Sequence, residues 1–520
     1  AQVTGPRASP RASDWTARVP ARKPPAELPA PWAIVASESN IARMEPDPLR
    51  IDRRALIAGA AASLAAPALR AQEALRVQDA GRVIEAKAGA MQLIPGASTA
   101  IEGYDGRAPG PLLRLRKGEP LDVTLVNALA RPTSIHWRGV RAPNAFDGAA
   151  PLTQKAVEPG ARFPIRFTPP DAGTFLYHAH AEPDLAAQVE RGLYGVLIVE
   201  EPDAPPVDHD LLAVIDDWRL DETGAIIACQ PTGGAFVHAR EELAGAGRRG
   251  ALLTVNGAPA PLAQEAAPRA RVRLRLVNAA TARLMAVRFE GARAHVIAID
   301  GQPCRAFPPL RDTIPIGPGA RFDVVLDLPE REGESARAVL AGAEGDADRP
   351  LVTLTARGAP LAPRPPVEAA GQNPLLPQEI RLQSARRLDL ALEAVGPAQG
   401  AAREVGPACP SGAPALWRIA PPKPVRAGEP LFSVKRGTPV SLGFVNRSPV
   451  AQAVHVHGHA MRQLHQLDDG WEPYWRDSVI VAPGRTVRVA FLADNPGRWR
   501  IGSAIMEHAA TGLSGFFEIG

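Results

Sequence analysis

The residues best equipped for chemistry in this chain are its histidines, and they are unevenly placed. Of 11 in all, His136 lies in SIHWRG, and His178 and His180 lie in TFLYHAHAE. Far downstream, AVHVHGHAM carries His455, His457 and His459, and MEHAATGL carries His508. Alternate residues of an extended strand face one side, so His178 with His180, and His455 with His457, each present two imidazoles together. A lone histidine is most simply a satisfied core residue. Two i, i+2 pairs in distant segments instead suit a shared site for copper, zinc or iron, which favour neutral imidazole. A metal-site origin is therefore expected for His136, His178, His180, His455 and His457.

Other constellations are weaker. Cys229, Cys304 and Cys409 lie far apart with no CxxC spacing, so neither a zinc knuckle nor a dense disulfide framework fits. A single disulfide would leave one thiol free. Gly512-Leu513-Ser514-Gly515 lacks the G-x-S-x-G spacing of a nucleophile elbow. Asp468, Asp469 and Asp477 read as an acidic turn after the HVHGH strand, solvated or paired to Arg476. With five methionines and no Met-rich insert, a cuprous-ion-oxidising role has no support.

The elements that must position these histidines repeat three times. LDVTLVN (121–127), VRLRLVN (272–278) and VSLGFVN (440–446) alternate apolar and polar residues and stop at a turn-forming Asn. That is the pattern of a half-buried strand. Each is followed by a Pro-Gly turn and another alternating strand: Pro159-Gly160, Pro318-Gly319 and Pro483-Gly484. The interval is too long for a solenoid and suits tandem domains. With 55 prolines and 46 glycines, long helices are disfavoured and short strands joined by turns are favoured. The predicted fold is all-β, with three tandem Greek-key β-sandwich domains at 74–202, 203–360 and 375–520. The Ala/Pro-rich stretch 359–374 reads as the clearest linker.

Residues 1–49 read as a disordered or untranslated leader, rich in Pro, Ala and Arg, with Met44 a plausible true start. Residues 50–71 resemble a twin-arginine signal peptide. Arg53 and Arg54 precede an alanine-rich apolar stretch that ends in small residues. A periplasmic location follows from that reading. The net charge of +4 resides entirely in residues 1–71, and the remainder balances to zero. Bulk charge therefore gives no reason to expect nucleic-acid binding. No uncharged apolar run reaches the ~18 residues that would span a bilayer, so an integral membrane protein is not expected.

The motifs together resemble the multicopper oxidases, three-domain cupredoxin proteins that include laccases and copper-efflux oxidases. The carriers are HWRG with the following FDG (146–148), Thr153-Gln154, GTFLYHAH with GLYG (192–195), DDW (216–218), VNG (255–257), HVHGH and NPGRW (495–499). Working members use the motifs HxH, HxH, HxxHxH and HCHxxxHxxxxM. These hold a type 1 copper that accepts electrons and a type 2/type 3 trinuclear cluster that reduces oxygen to water. By that resemblance, His136 and His455 match the type 2 ligands, and His178, His180 and His457 match three of six type 3 ligands. Arg138, Gly502 and Ala504 stand at the other three. At type 1, Gln452 and His508 stand at the histidine positions, Ser503 at the cysteine and Leu513 at the axial position. Leucine occurs there in functional members, but a hydroxyl cannot replace the thiolate of a blue-copper site.

Arg138 also puts a permanent cation where a copper ion should sit. The resemblance thus implies a member without oxidase activity, similar to the copper-free, division-associated cupredoxin proteins exported by the twin-arginine route. It would serve as a periplasmic binding or scaffold protein. Its cofactor would be copper, at most one or two ions, or none if the site is fully lost. His136, His455, His180 and His457 are the expected set for one such ion. Its partner would be an unknown periplasmic protein or a small reductant. The rival reading is a copper-dependent oxidoreductase using a reduced, mononuclear type 2-like site.

Overall fold

The computed structural model describes residues 81–227, 243, 245–342, 346–367, 371–395, 416–465 and 470–520. The leader with Arg53 and Arg54, the cysteines Cys229 and Cys409, and Asp468 and Asp469 lie outside the described residues. Strands dominate, and they fall into six sheets that group by position along the chain. Two four-stranded sheets span 82–200, a seven- and a five-stranded sheet span 209–356, and a six- and a five-stranded sheet span 386–519. Each pair closes over its own apolar core. The first core gathers Leu121, Val123, Leu125, Trp137, Phe175 and Leu197, drawn from both sheets. The chain is thus all-β, with three cupredoxin-like sandwiches in tandem.

The threefold repeat is reproduced hydrogen bond by hydrogen bond. Each LVN strand pairs parallel with the first long strand of its sandwich and antiparallel with the strand after the Pro-Gly turn. The terminal Asn then ties three backbone segments together. Asn127 Nδ2 donates to the carbonyls of Arg131 (2.9 Å) and Val157 (2.7 Å), while its Oδ1 accepts from Leu129 N–H (2.9 Å). Asn278 does the same with Arg283, Ile316 and Ala280, and Asn446 with Val450, Val481 and Ser448. Each Asn carbonyl accepts from the glycine of its own turn, Gly160, Gly319 or Gly484. Those glycines sit at φ between 66° and 77°, where a Cβ would be strained.

The middle LVN strand departs from the half-buried expectation. Arg271–Asn278 is buried on both faces. Its alternation is real: Val272, Leu274 and Leu276 enter the second core. The polar face is covered because Arg273 and Arg275 point into the seam with the first sandwich. There Arg273 pairs with Glu201 at 2.9 Å and also contacts Asp323, and Arg275 pairs with Asp210 at 2.7 Å and donates to Thr174 Oγ1 at 2.8 Å. Desolvating guanidinium groups is costly unless carboxylates meet them, and here they do. The first and third sandwiches also touch. Leu185 and Ala186 on the helix Leu185–Glu190 pack against Met506 and Ala509 on the helix Met506–Ala510. No described helix is long and apolar enough to cross a membrane.

Candidate metal centre

Three short strands, two from the first sandwich and one from the third, bring the histidines together. His136 opens the strand His136–Arg138 and lies opposite His178, the last residue of Gly173–His178. His455 sits on Gln452–Val456 opposite Gly502 of Gly497–Ser503. His180 lies two residues past Gly173–His178, and His457 directly follows Gln452–Val456. All five rings are buried. His136 stacks on His457 with ring centres 3.9 Å apart, and His178, His180 and His455 lie 5.2, 5.3 and 5.7 Å from His136.

The outward nitrogens fix the tautomers. His136 Nδ1 donates to Asp147 O at 2.7 Å, His178 Nδ1 to Ala179 O at 2.9 Å, and His455 Nδ1 to Asp477 O at 3.0 Å. His457 Nδ1 donates to Asp147 Oδ2 at 3.0 Å. A neutral ring that spends its N–H at Nδ1 offers a lone pair at Nε2. The Nε2 atoms of His136, His178 and His455 have no hydrogen-bond partner, and both ring nitrogens of His180 lack one. Burial holds His178, His180, His455 and His457 well below the ordinary imidazole range, so these rings are neutral at pH 7. His136, His455 and His457 offer ligand atoms within 4.8 Å of one another, the one such cluster among the described residues. The convergent ring nitrogens of this buried trio, unpartnered at His136 and His455, fit a single metal ion. His180 stands beside that trio without joining it.

Two carboxylates that were not singled out as site residues govern this arrangement. Asp147, the acid of the FDG motif, is 2% exposed and contacts both His136 and His457. Burial opposes its charge, but His457 and His136 more than offset that and hold its carboxyl well below the usual range. Asp477 was expected to be solvated or paired to Arg476. It is instead 3% exposed and accepts from Arg321 Nη2 at 2.6 Å, with its Oδ1 3.1 Å from His455 Nδ1. Arg476 donates to Gln463 on another strand. Successive residues of an extended chain face opposite ways, which is why neighbours in sequence do not pair here.

The remaining positions are equally explicit. Arg138 is buried, donates from Nη2 to Pro318 O at 3.0 Å and lies against Gly319, whose missing Cβ makes room for it. Burial pushes its guanidinium down to about 10, so it stays charged. With His178, His180, His455, His457, Arg500, Gly502, Ser503 and Met506 it borders a cavity of about 10 Å³, room for one water-sized sphere. Ala504 is buried behind this wall, its N–H bonded to Ala453 O. Ser503 Oγ accepts from Ile505 N–H at 3.1 Å. Leu513 is fully buried in the third core.

His508 lies apart from the five. It stacks on Trp417 with ring centres 4.1 Å apart, and burial pushes it down to about 3. Its Nε2 contacts Gly245 O at 2.9 Å and its Nδ1 the Gln452 amide at 2.9 Å. Both partners are oxygens, Gln452 Oε1 and Gly245 O, so a neutral ring donates to one of them, according to which nitrogen carries its proton. His459 is structural: it donates to His457 O and packs among Phe491, Trp499 and Phe517. Cys304 is a buried free thiol.

Comparison with known proteins decides the lineage. Three multicopper oxidase family models match residues 85–204, 241–346 and 409–520. The chain belongs to the multicopper oxidase family. It is 30% identical to a multi-copper oxidase of Pseudomonas thermotolerans whose crystal structure covers 85% of this chain and 99% of its own, with a TM-score of 0.69. It is 27% identical over 435 residues to the multicopper oxidase MmcO of Mycobacterium tuberculosis, covering 79% of this chain and 81% of that protein. It is also 31% identical over 268 residues to the cell division protein FtsP of Sodalis glossinidius, covering 49% of this chain and about half of that relative. Membership in the multicopper oxidases implies copper, and among the described residues only the His136–His455–His457 trio has the donor set to hold it.

Proposed function

We propose that this chain is a non-oxidase multicopper-oxidase-like protein, exported by a twin-arginine route, that works as a periplasmic binding or scaffold protein and retains one metal position. The observation that carries this is the state of the residues matching the type 1 site. Ser503 stands where a thiolate is required, and both ring nitrogens of His508 are spent on Gly245 and Gln452. A route for electrons from a surface donor needs a sulfur ligand and flanking imidazoles, and these positions read Gly502-Ser503-Ala504. A Cβ at Gly502 would lie 2.9 Å from Leu513 O, so an imidazole there needs the backbone to shift, which supports this reading. Similarity to a cell division protein is consistent with a role in binding a partner.

His136, His455 and His457 would hold the ion, and Asp147 and Asp477 would keep their Nδ1 atoms protonated so that Nε2 faces it. Copper so bound would supply one-electron redox chemistry. That trio also favours the second reading, a mononuclear copper oxidoreductase fed by a small reductant. Purified full-length chain, loaded with copper and freed of excess, tests both. The scaffold reading expects a colourless protein with at most one copper of type 2 character in electron paramagnetic resonance and no dioxygen uptake with phenols. An intense blue thiolate–copper band, or phenol-driven dioxygen uptake, overturns it. Reductant-driven uptake abolished by His136→Ala with His455→Ala would instead establish the second.

A further inference from the structure

Away from the histidines, the six-stranded sheet of the third sandwich carries a trough on its outer face. The register puts Arg387, Ser441 and Ala490 in one row across neighbouring strands, and Asp389, Gly443 and Arg488 in the next. Ser441, Gly443 and Ala490 have little side chain with which to fill that face. Because Gly443 has none, Asp389 and Arg488 meet across it at 2.7 Å. Leu382, Pro422, Leu464 and Trp471 give apolar walls to a cavity of about 750 Å³, and Arg387 and Arg488 give it cationic ones. That volume is within the range of binding sites. Two guanidiniums face one carboxylate, so the lining holds one positive charge in excess.

The strand that borders the trough has half of one edge open. Arg386–Ala394 pairs with Thr438–Asn446 along residues 386–392, but with Trp417–Ala420 only along 391–394. The register would next set Pro421 opposite Leu390 and Pro422 opposite Asp389. Proline has no N–H to donate, so that neighbour stops there. Among the described residues no strand lies against the outer side of 386–390. Such an edge offers its N–H and C=O groups as a template for another extended chain. A strand added there meets Arg387 on the trough side and Leu388, which also lines the cavity, on the other. Acidic side chains suit the first and apolar ones the second. Charge on a larger scale agrees: residues 375–520 hold 16 Lys/Arg against 12 Asp/Glu, although the chain beyond residue 71 balances to zero.

We propose that the open edge at 386–390 and the trough beside it form a docking site for an extended segment of a partner protein, one in which acidic and apolar residues alternate and which joins the sheet as a further strand. The inference rests on the binding role proposed above and gives that role a surface. The partner's main chain supplies affinity, and its alternating side chains supply specificity.

The test uses full-length protein and a fluorescein-labelled peptide of alternating Glu and Val, about eight residues long, read by fluorescence anisotropy. Saturable binding is expected, weakened about tenfold when Lys replaces Glu in the peptide. Only alternate N–H groups of a strand face a given neighbour. N-methylation at every second residue is therefore expected to abolish binding in one of its two phases and to spare it in the other. Arg387→Glu is expected to lose the Glu peptide about tenfold and to gain the Lys peptide, a reversal that misfolding cannot produce. No anisotropy change up to about 1 mM peptide, or equal tolerance of both N-methylated phases, overturns the docking site. Dimerisation of the chain that Arg387→Glu abolishes overturns it too, in favour of a second copy on the same edge. Colourless protein without dioxygen uptake that ignores the peptide leaves the scaffold reading standing. Phenol-driven uptake overturns that reading and leaves the peptide titration to decide the edge.

Discussion

Asp147 shows how much of the site hangs on one carboxylate. It contacts His457 Nδ1 at 3.0 Å and His136 Nδ1 at 3.3 Å, so it sets which nitrogen of each ring carries the proton. In Asp147→Asn, the amide presents a donor where an acceptor is needed, and His457 is free to swap tautomer and turn an N–H toward the metal. Copper affinity is expected to drop about 10–100-fold while the fold is kept, measured by chelator competition and by an unchanged far-ultraviolet spectrum. Loss below twofold would show that the backbone carbonyls orient the rings unaided. The histidines themselves were legible in the sequence as two i, i+2 pairs, although only His178 and His455 lie on strands, with His180 and His457 just past the strand ends. Their carboxylate partners were not. Asp147 sits in a turn 310 residues from His457, and nothing local marks that contact. Asp477 looked like a partner for Arg476, yet its cation, Arg321, comes from another sandwich.

Among the elements, the LVN strands were readable because each ends in the same Asn and meets the same turn. Their cost can be compared directly. Asn127, Asn278 and Asn446 each donate twice and accept from one backbone N–H, all from buried positions, and Asn446 also accepts from the Ser448 hydroxyl. Removing the amide leaves two carbonyls and one N–H unmet, at about 1 kcal/mol or more per group. Asn→Ala at any of the three is expected to lower unfolding free energy by about 2–4 kcal/mol. Urea midpoints near wild type at all three would mean that water satisfies those groups just as well. What alternation could not say is what covers the polar face of a strand. Arg273 and Arg275 were read as half-exposed, and they are buried against Glu201, Asp210 and Asp323, residues drawn from three separate strands or their ends. A period of two assigns residues to faces and leaves the neighbour of each face unspecified.

For the molecule as a whole, six buried, neutral imidazoles dictate how stability follows pH. His178, His180, His455 and His457 are held well below their ordinary value by burial, His459 is pushed down to about 4 and His508 to about 3. In the unfolded chain each takes up a proton near pH 6.5, whereas the folded chain refuses it. Their contribution is therefore complete above pH 6.5 and is lost as pH falls toward their folded values, at up to about 1.4 kcal/mol per pH unit for each ring. Two buried acids act in the opposite sense. Burial raises Asp216 and Glu507 to about 7, so what they add is present below the ordinary carboxylate range and is lost as pH rises toward 7. Six rings outweigh two acids, so stability of the metal-free protein is expected to climb steeply from pH 5 to 6.5 and to level off above 7. Copper should flatten the climb, because the rings that hold it resist protonation while it is bound. Denaturant midpoints at pH 5, 6 and 7.5, with and without one equivalent of copper, check both statements. A flat metal-free profile would mean that the imidazoles are already protonated in the folded chain, and a profile unaltered by copper would mean that the trio does not hold it.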